Sequence, residues 1–244
     1  SQIAGNVMGS TYLGPRHNFF AILSLLEKRR GIGWQGPSLG YDGSDPADQV
    51  LIENLVQGQI SSYTSHTNPE IVPYNYAVGG GLMALSTYIA TGGPEEVGAA
   101  TTVTQGLANA IIAVKNARAT TAPNDGGWYY TSPIRSWADL SVTQFAVAGL
   151  SAAQNLIPDA TEDFPAFIDF LTRSQSQDGG FSYQVMGTQG RGGSHGTMSA
   201  TGLWCLRLSQ VPIENDSTQN VLQWLRTHYR YDDVYRSSDR FTYY

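Results

Sequence analysis

The sequence has a single cysteine and few charges. Cys205 is the only cysteine among the 244 residues, so no internal disulfide can form. Charged residues make up 14% of the chain and give a net charge of −6 at pH 7, and the lysines are limited to Lys28 and Lys115. Because no basic run exists that could follow a phosphate backbone, the sequence argues against a nucleic-acid partner.

Long apolar runs are also missing. No stretch approaches the ~20 consecutive apolar residues that a membrane-spanning helix requires, so we expect no transmembrane segment. Apolar residues nevertheless make up 41% of the chain, which is enough for a packed core. Abundant Ser, Thr, Asn, Gln and Gly favour a neutral polar surface over disorder. We therefore expect a single domain over residues 1–244.

One pattern recurs at a spacing of 53 residues. The segment 125–130, Asp-Gly-Gly-Trp-Tyr-Tyr, returns as Asp-Gly-Gly-Phe-Ser-Tyr at 178–183, and the apolar stretch 141–150 aligns with 194–203 at the same spacing. A weaker third copy reaches residue 235 and lacks the two glycines. Self-similarity of this kind is typical of repeat proteins, in which each unit buries its apolar face against its neighbours.

Helical spacing of apolar residues predicts an all-α chain. Two predicted helices, 139–156 and 194–208, are apolar on nearly all sides, which is typical of inner helices covered on several faces. Two others, around 164–171 and 221–228, have one apolar stripe, which is typical of outer helices. Asp139 is a candidate cap of the first inner helix. The remaining predicted helices are 17–30, 46–62 with Asp45 as its cap, 74–91 and 95–118.

The segment 170–181 resembles a known repeat motif. It reads Phe-Leu-x3-Gln-x3-Gly-x-Phe, which is similar to the repeat of squalene and oxidosqualene cyclases with Phe181 in place of tryptophan. The Gly-Gly-aromatic turns also resemble those of protein prenyltransferase β-subunits. The resemblance covers about 122–235 and implies an α/α toroid, a double ring of inner and outer helices. Since a closed ring needs more helices than the sequence predicts, we expect an incomplete ring that further chain or a protein partner would complete.

The same resemblance implies a ligand site. His195-Gly196 followed by Gly202-Leu203 is similar to the segment in which prenyltransferases place a histidine against an isoprenoid diphosphate. With Arg191 nearby, this implies an anion site at the start of an inner helix, where free N–H groups favour negative charge. Aromatic residues at the inner-helix starts would line an apolar pocket, although packing between repeats is the alternative interpretation for them. The other predicted ligand contacts are Tyr183, Trp128, Tyr129 and Asp139.

Catalytic motifs of the resembled families are missing from the chain. Phe241 stands where the zinc-binding cysteine would follow Asp239, and no Asp-x-Asp-Asp acid segment occurs, so we expect no metal and no other cofactor. The leading hypothesis is a toroid that binds an isoprenoid or other apolar small molecule, or a partner protein, in its central cavity. One alternative is an isoprenoid-processing enzyme like terpenoid cyclases or prenyltransferases. Another is a glycan-processing α/α barrel with an aromatic platform that includes Trp34 and Tyr130.

Overall fold

The computed structural model describes residues 17–64, 74–131, 136–186, 189–190 and 193–228. Within these ranges nearly all regular secondary structure is helical, which confirms the all-α class. The eight α-helices are α1 (Phe19–Leu26), α2 (Pro46–Thr64), α3 (Asn75–Ala90), α4 (Val103–Asn116), α5 (Leu140–Ala153), α6 (Phe164–Ser174), α7 (Gly196–Leu208) and α8 (Asp216–His228). A 3-10 turn at Pro158–Thr161 and a small antiparallel pair, β1 (Val185–Met186) with β2 (Gln189–Gly190), complete the described elements.

Helix positions follow the sequence predictions closely, with two clear differences. The predicted helix 17–30 ends too late, because α1 stops at Leu26, where the Leu26 and Lys28 carbonyls accept from the Gly40 and Leu39 N–H groups instead of continuing the helix. The predicted helix 95–118 begins too early, because α4 starts only at Val103. Thr102 caps that start by accepting a hydrogen bond from the Gln105 backbone N–H at 3.1 Å. Gly98 has a φ of +75°, which is incompatible with a continuous helix from residue 95.

Alternate helices form a continuous row. Helix α3 packs against α1 and α5, and α5 packs against α3 and α7. The other helices lie beside this row, with α4 against α3 and α8 against α7. Helix α5 is buried on most sides, whereas α6 buries a single stripe that begins at Phe164 and ends at Ser174. None of the described helices is both long and apolar enough to cross a membrane.

Helices α3 and α5 approach each other backbone to backbone. A side chain at Gly79 of α3 would collide with the Phe145 carbonyl oxygen of α5. Gly149 of α5 faces the Gly79 carbonyl in return, and a Cβ there would lie 2.5 Å from that oxygen. Glycine destabilises a helix interior by roughly 0.5–1 kcal/mol relative to alanine. Here glycine is required because any side chain would push the two helices apart.

The Gly-Gly turn has the same structure in both described copies. Gly126 and Gly179, the first glycine of each pair, have φ values of +95° and +91°, a backbone conformation that favours glycine. Gly127 and Gly180, the second glycines, do not have positive φ. Gly126 lies against the Ala166 carbonyl of α6, and a Cβ on Gly179 would lie 2.9 Å from the Asn220 carbonyl of α8. Each turn therefore sits against the outer helix of the following unit. The third copy, around 232–235, lies outside the described residues.

The inner helices repeat at a different spacing from the turns. The backbone N–H of Trp128 donates to Thr143 Oγ1 at 2.9 Å, and the N–H of Phe181 donates to Ser199 Oγ at 2.9 Å. The two donors, Trp128 and Phe181, are 53 residues apart in the sequence. The two acceptors, Thr143 and Ser199, are 56 residues apart. The predicted alignment of the inner helices is therefore wrong by three residues. The additional residues belong to the loop before α7, which contains β1 and β2.

Candidate functional site

Two backbone hydrogen bonds bring distant segments together at the N-terminal end of the helix row. The first N–H of α3, from Asn75, donates to the Tyr130 carbonyl at 3.0 Å. The first N–H of α5, from Leu140, donates to the Tyr183 carbonyl at 2.8 Å. These bonds are equivalent, because Tyr130 and Tyr183 occupy the same position in successive repeats. The helix starts and the tyrosines of the turns are thereby fixed side by side.

Three tyrosine rings pack together at this end, and we refer to Tyr74, Tyr76 and Tyr130 as the tyrosine cluster. The ring centroids are 5.5 Å apart for Tyr74 and Tyr76, 5.8 Å for Tyr74 and Tyr130, and 5.7 Å for Tyr76 and Tyr130. Tyr129 extends the cluster on one side and Phe145 on the other, at 5.2 Å and 4.9 Å. All five rings are partly exposed. The result is an amphipathic aromatic surface.

A chain of hydroxyl groups lies behind the tyrosine cluster. Asp139 is the N-cap of α5, and its Oδ1 accepts from the Ser141 backbone N–H at 2.8 Å and from the Ser141 hydroxyl at 2.5 Å. The Tyr76 hydroxyl lies 2.6 Å from Ser141 Oγ. A serine hydroxyl has one proton, and Ser141 donates it to Asp139, so Tyr76 must donate to Ser141. We call the chain Tyr76, Ser141 and Asp139 the hydroxyl relay.

Burial changes the acidity of these groups. Asp139 is only 5% exposed, and burial raises the pKa of its carboxyl group even though the Ser141 hydrogen bonds oppose the shift. Burial likewise raises the pKa of Tyr74, Tyr76 and Tyr130, and the charge of Asp139 acts in the same direction on all three. The tyrosines are therefore protonated at neutral pH. The predicted cap role of Asp139 is confirmed. Its link to Tyr76 through the Ser141 hydroxyl was not predicted.

Asn75 contributes a buried hydrogen-bond acceptor beside the tyrosine cluster. Its residue is 1% exposed, and its Nδ2 donates to the Tyr129 carbonyl at 2.6 Å. No group in the described part of the chain donates to its Oδ1. Asn75, Tyr74 and Tyr76 are not among the site residues predicted from the sequence. The available signal was the Tyr-Asn-Tyr triplet at the start of a predicted helix.

The predicted site residues fall into three groups. Tyr129 and Asp139 belong to the site around the tyrosine cluster. Tyr183 and His195 lie at the start of α7, with ring centroids 5.3 Å apart, and His195 is the N-cap of α7 without a side-chain cap bond. Trp128 is fully buried and donates through Nε1 to the Val114 carbonyl at 2.8 Å, so for this residue the packing interpretation is correct.

Arg191 lies outside the described residues. The ion pairs that the structure describes are on other parts of the surface. They join Lys28 to Asp48, Lys115 to Glu162, Arg118 to Asp163, and Arg173 to Asp125. Over the described ranges, no three His, Cys, Asp or Glu side chains come together in a way that could hold a metal ion.

An apolar cleft of about 290 Å³ lies elsewhere, between α4 and the loop after α5. Ile111, Ile112 and Ile157 line it, and Lys115 lies at its edge with its Nζ 3.1 Å from the Asp159 carbonyl. None of its lining residues belongs to the tyrosine cluster. The cleft is therefore not the predicted pocket at the starts of the inner helices.

Comparison with known proteins provides no match that could assign these residues a role. No protein-family model, no curated protein and no solved structure matches the chain.

Proposed function

We propose that the chain is a ligand-binding module of the α/α toroid type and that its ligand binds to the tyrosine cluster. The observation that carries the proposal is the link from the partly exposed tyrosine cluster to a buried carboxyl group, which Tyr76 makes through the hydroxyl relay. Burying Asp139 destabilises the fold at neutral pH, because a buried carboxylate loses hydration. Titratable groups with shifted pKa values that lie together at one surface favour a functional site.

The toroid part of the proposal is supported by the arrangement of the helices. Helices α3, α5 and α7 follow one another in a row, while α4 and α8 lie beside it. Equivalent backbone bonds, from Asn75 to Tyr130 and from Leu140 to Tyr183, join successive units at the same end of the row. Such an arrangement is expected for an arc of inner and outer helices. The cyclase-like repeat motif at 170–181 favours the same architecture.

Binding is favoured over catalysis by the composition of the site. Ligand sites are commonly lined by aromatic and apolar side chains with a few fixed polar groups. The tyrosine cluster supplies the aromatic area, and Asn75 and the hydroxyl relay supply the fixed polar groups. A partner protein that packs an apolar side chain against the exposed parts of these rings would use the same features.

A second function is favoured by one specific observation. Burial raises the pKa of Asp139, and a carboxyl group of raised pKa behind aromatic rings could pass a proton through the Ser141 and Tyr76 hydroxyls to an isoprenoid. In this alternative the chain is a terpenoid cyclase-like enzyme and Asp139 is its acid. Incubation with squalene or geranylgeranyl diphosphate, followed by gas chromatography and mass spectrometry, tests it. Product formation that disappears in Asp139→Asn would support catalysis.

The binding proposal is tested by fluorine NMR with a fragment library. Replacing the 14 tyrosines by 3-fluorotyrosine gives each one a reporter, and single Tyr→Phe variants assign the signals. We expect fragment hits to shift the signals of Tyr74, Tyr76 and Tyr130 together. The signals of Tyr41 and Tyr88, which pack against each other elsewhere in the core, serve as controls. A library that shifts only the controls, or no signal, contradicts the proposal.

A further inference from the structure

The tyrosine cluster offers hydrogen-bond acceptors to a ligand. Tyr76 uses its only hydroxyl proton to donate to Ser141, and the Tyr130 hydroxyl is close to the same two groups, so the Tyr76 oxygen keeps at least one lone pair for a ligand donor. Asn75 Oδ1 is a second acceptor, buried and without a protein donor among the described residues. A buried acceptor without a donor destabilises a protein by about 1–3 kcal/mol. A ligand that displaces the side chains covering Asn75 and supplies a donor to its Oδ1 recovers this energy on binding.

The charge around the cluster disfavours an anionic ligand. Apart from burial and the neighbouring tyrosines, the charge that acts on Tyr74, Tyr76 and Tyr130 is the carboxylate of Asp139. An ionised diphosphate carries only acceptors, so it would face acceptors and a carboxylate. The predicted diphosphate contact at His195 is a separate location, at the start of α7.

A cationic ligand is also disfavoured by the geometry. Recognition of an ammonium group requires rings that surround the cation within about 6 Å of their centroids. Here the three rings pack directly on one another at 5.5 to 5.8 Å and leave no space between them. The Asp139 carboxyl group is 5% exposed and lies behind Ser141, so it cannot pair directly with a cation on the surface.

A neutral ligand with hydroxyl donors and apolar faces fits these constraints. A pyranose ring presents C–H groups on its faces and hydroxyl groups around its edge. The faces match tyrosine rings, which combine a large apolar area with a polar end. The cluster rings are partly exposed, which suits a water-soluble ligand better than a lipid chain that needs an enclosed cavity.

From these constraints we infer that the ligand is a neutral saccharide, with one sugar ring stacked on the tyrosine cluster and its hydroxyl groups donating to Tyr76 and Asn75. This inference rests on the proposed function, since it names the ligand class of the same site. A saccharide differs in this respect from an isoprenoid diphosphate, which carries no hydroxyl donors. Tyr76 then acts as a specificity-determining residue through its oxygen, and Tyr130 contributes mainly its ring.

Isothermal titration calorimetry with neutral hexasaccharides of glucose, xylose, mannose and N-acetylglucosamine tests the inference. Farnesyl diphosphate and tetramethylammonium chloride are the comparison ligands. We expect at least one hexasaccharide to bind with a Kd below about 1 mM and neither comparison ligand to bind the cluster. Tyr76→Phe, which keeps the ring, should weaken saccharide binding about threefold to tenfold, the range for one lost hydrogen bond.

Two further variants complete the test. Tyr130→Ala removes a ring of the cluster and should abolish measurable binding. Tyr88→Phe removes a hydroxyl that donates to the Pro94 carbonyl, away from the cluster, and should leave binding unchanged. Unchanged circular dichroism spectra would show that the three variants remain folded.

The outcomes separate the two proposals. If no hexasaccharide binds, or if only a comparison ligand binds, the saccharide inference is overturned. Equal saccharide affinities for the wild type, Tyr76→Phe and Tyr130→Ala would overturn it as well, because binding would lie elsewhere. Fragment-induced shifts of the cluster signals would in these cases leave the ligand-binding proposal in place. If no fragment shifts the signals of the tyrosine cluster, both the ligand-binding proposal and the saccharide inference are contradicted.

Discussion

The Tyr76 hydroxyl on α3 lies 2.6 Å from the Ser141 hydroxyl on α5, and this contact joins two neighbouring helices of the row at their N-terminal ends. Ser141 passes the interaction to the cap residue Asp139. The same short chain of hydrogen bonds thus holds a helix start and orients a tyrosine at the surface. If the proposed ligand binds to the tyrosine cluster, stability and binding are coupled at this site, and single substitutions there should affect both.

Asp139→Asn should stabilise the protein at neutral pH. The folded state raises the pKa of Asp139 above its ordinary value, so the group favours folding when protonated, and this contribution is lost as the pH rises through the folded-state pKa. Asparagine keeps an oxygen acceptor for Ser141 and removes the buried charge. We expect the free energy of unfolding from urea titration to be equal to or higher than that of the wild type at pH 7.

The pH dependence provides the control. Below about pH 4, where Asp139 is protonated in both folded and unfolded states, the stability gain of Asp139→Asn should vanish. Asp139→Ala, which removes the cap, should destabilise by roughly 1 kcal/mol at both pH values. If the asparagine variant loses as much stability at pH 7 as the alanine variant, the charge of Asp139 stabilises the fold and the burial argument is wrong.

Asp178 should show the opposite pH dependence. Burial acts to raise the pKa of Asp178, but hydrogen bonds from the Ser194 hydroxyl, the Trp224 indole and the Gly180 N–H outweigh it and lower the pKa below its ordinary value. Its contribution to stability is present above the ordinary pKa and is lost as the pH falls through the lowered value. Asp178→Asn should therefore lower the Tm at pH 7.

The measurement is thermal unfolding of the wild type and Asp178→Asn over a pH series. The difference in Tm should shrink as the pH falls below the ordinary aspartate pKa of about 4. Ser194→Ala, which removes one of the three donors, should give a smaller change in the same direction. A Tm difference that is constant over the whole series would indicate that the charge of Asp178 has no role.

Local signals explain why the helices and turns could be predicted. Asp45 was expected to cap α2, and its Oδ1 accepts from the Ala47 and Asp48 N–H groups at 3.1 Å and 3.0 Å. Paired glycines permit a tight reversal, and the first glycine of each pair, Gly126 and Gly179, has positive φ. Each of these features depends on residues close together in the sequence.

The site could be predicted only in part, because it depends on contacts across the fold. Asp139 and Tyr129 lie within the clear repeats and were identified. Tyr76 lies before the repeats, and its partner Ser141 is 65 residues away, a separation that leaves no periodic signal. The inner-helix alignment was wrong for a related reason, since small and apolar residues fit several registers and long-range bonds such as that from Phe181 to Ser199 fix one.

Cys205 should react slowly with thiol reagents in the native protein. Its side chain is fully buried in α7, and burial raises the pKa of its thiol well above the ordinary value. Little thiolate therefore forms at pH 8, and a reagent cannot reach it. We expect labelling by 5,5′-dithiobis(2-nitrobenzoic acid) to follow unfolding, with a rate that rises steeply with urea concentration. Rapid labelling without urea would show that α7 opens in the native state.

Substituting the glycines of the repeat turn should destabilise the fold for two different reasons. Gly179→Ala places a Cβ on a residue with a φ of +91°, and the strain should reduce the free energy of unfolding by roughly 1–3 kcal/mol. Gly180→Val should reduce the free energy of unfolding by about 1–3 kcal/mol through overpacking, because even a Cβ there lies 2.5 Å from the Ser194 Cβ.

Gly31→Ala is the matched control, since nothing lies within 4 Å of its added Cβ, and it should change stability by less than about 0.5 kcal/mol. Urea denaturation of the three variants measures these changes in the free energy of unfolding. If Gly31→Ala loses as much stability as Gly179→Ala, the geometry of the turn does not cause the loss at Gly179.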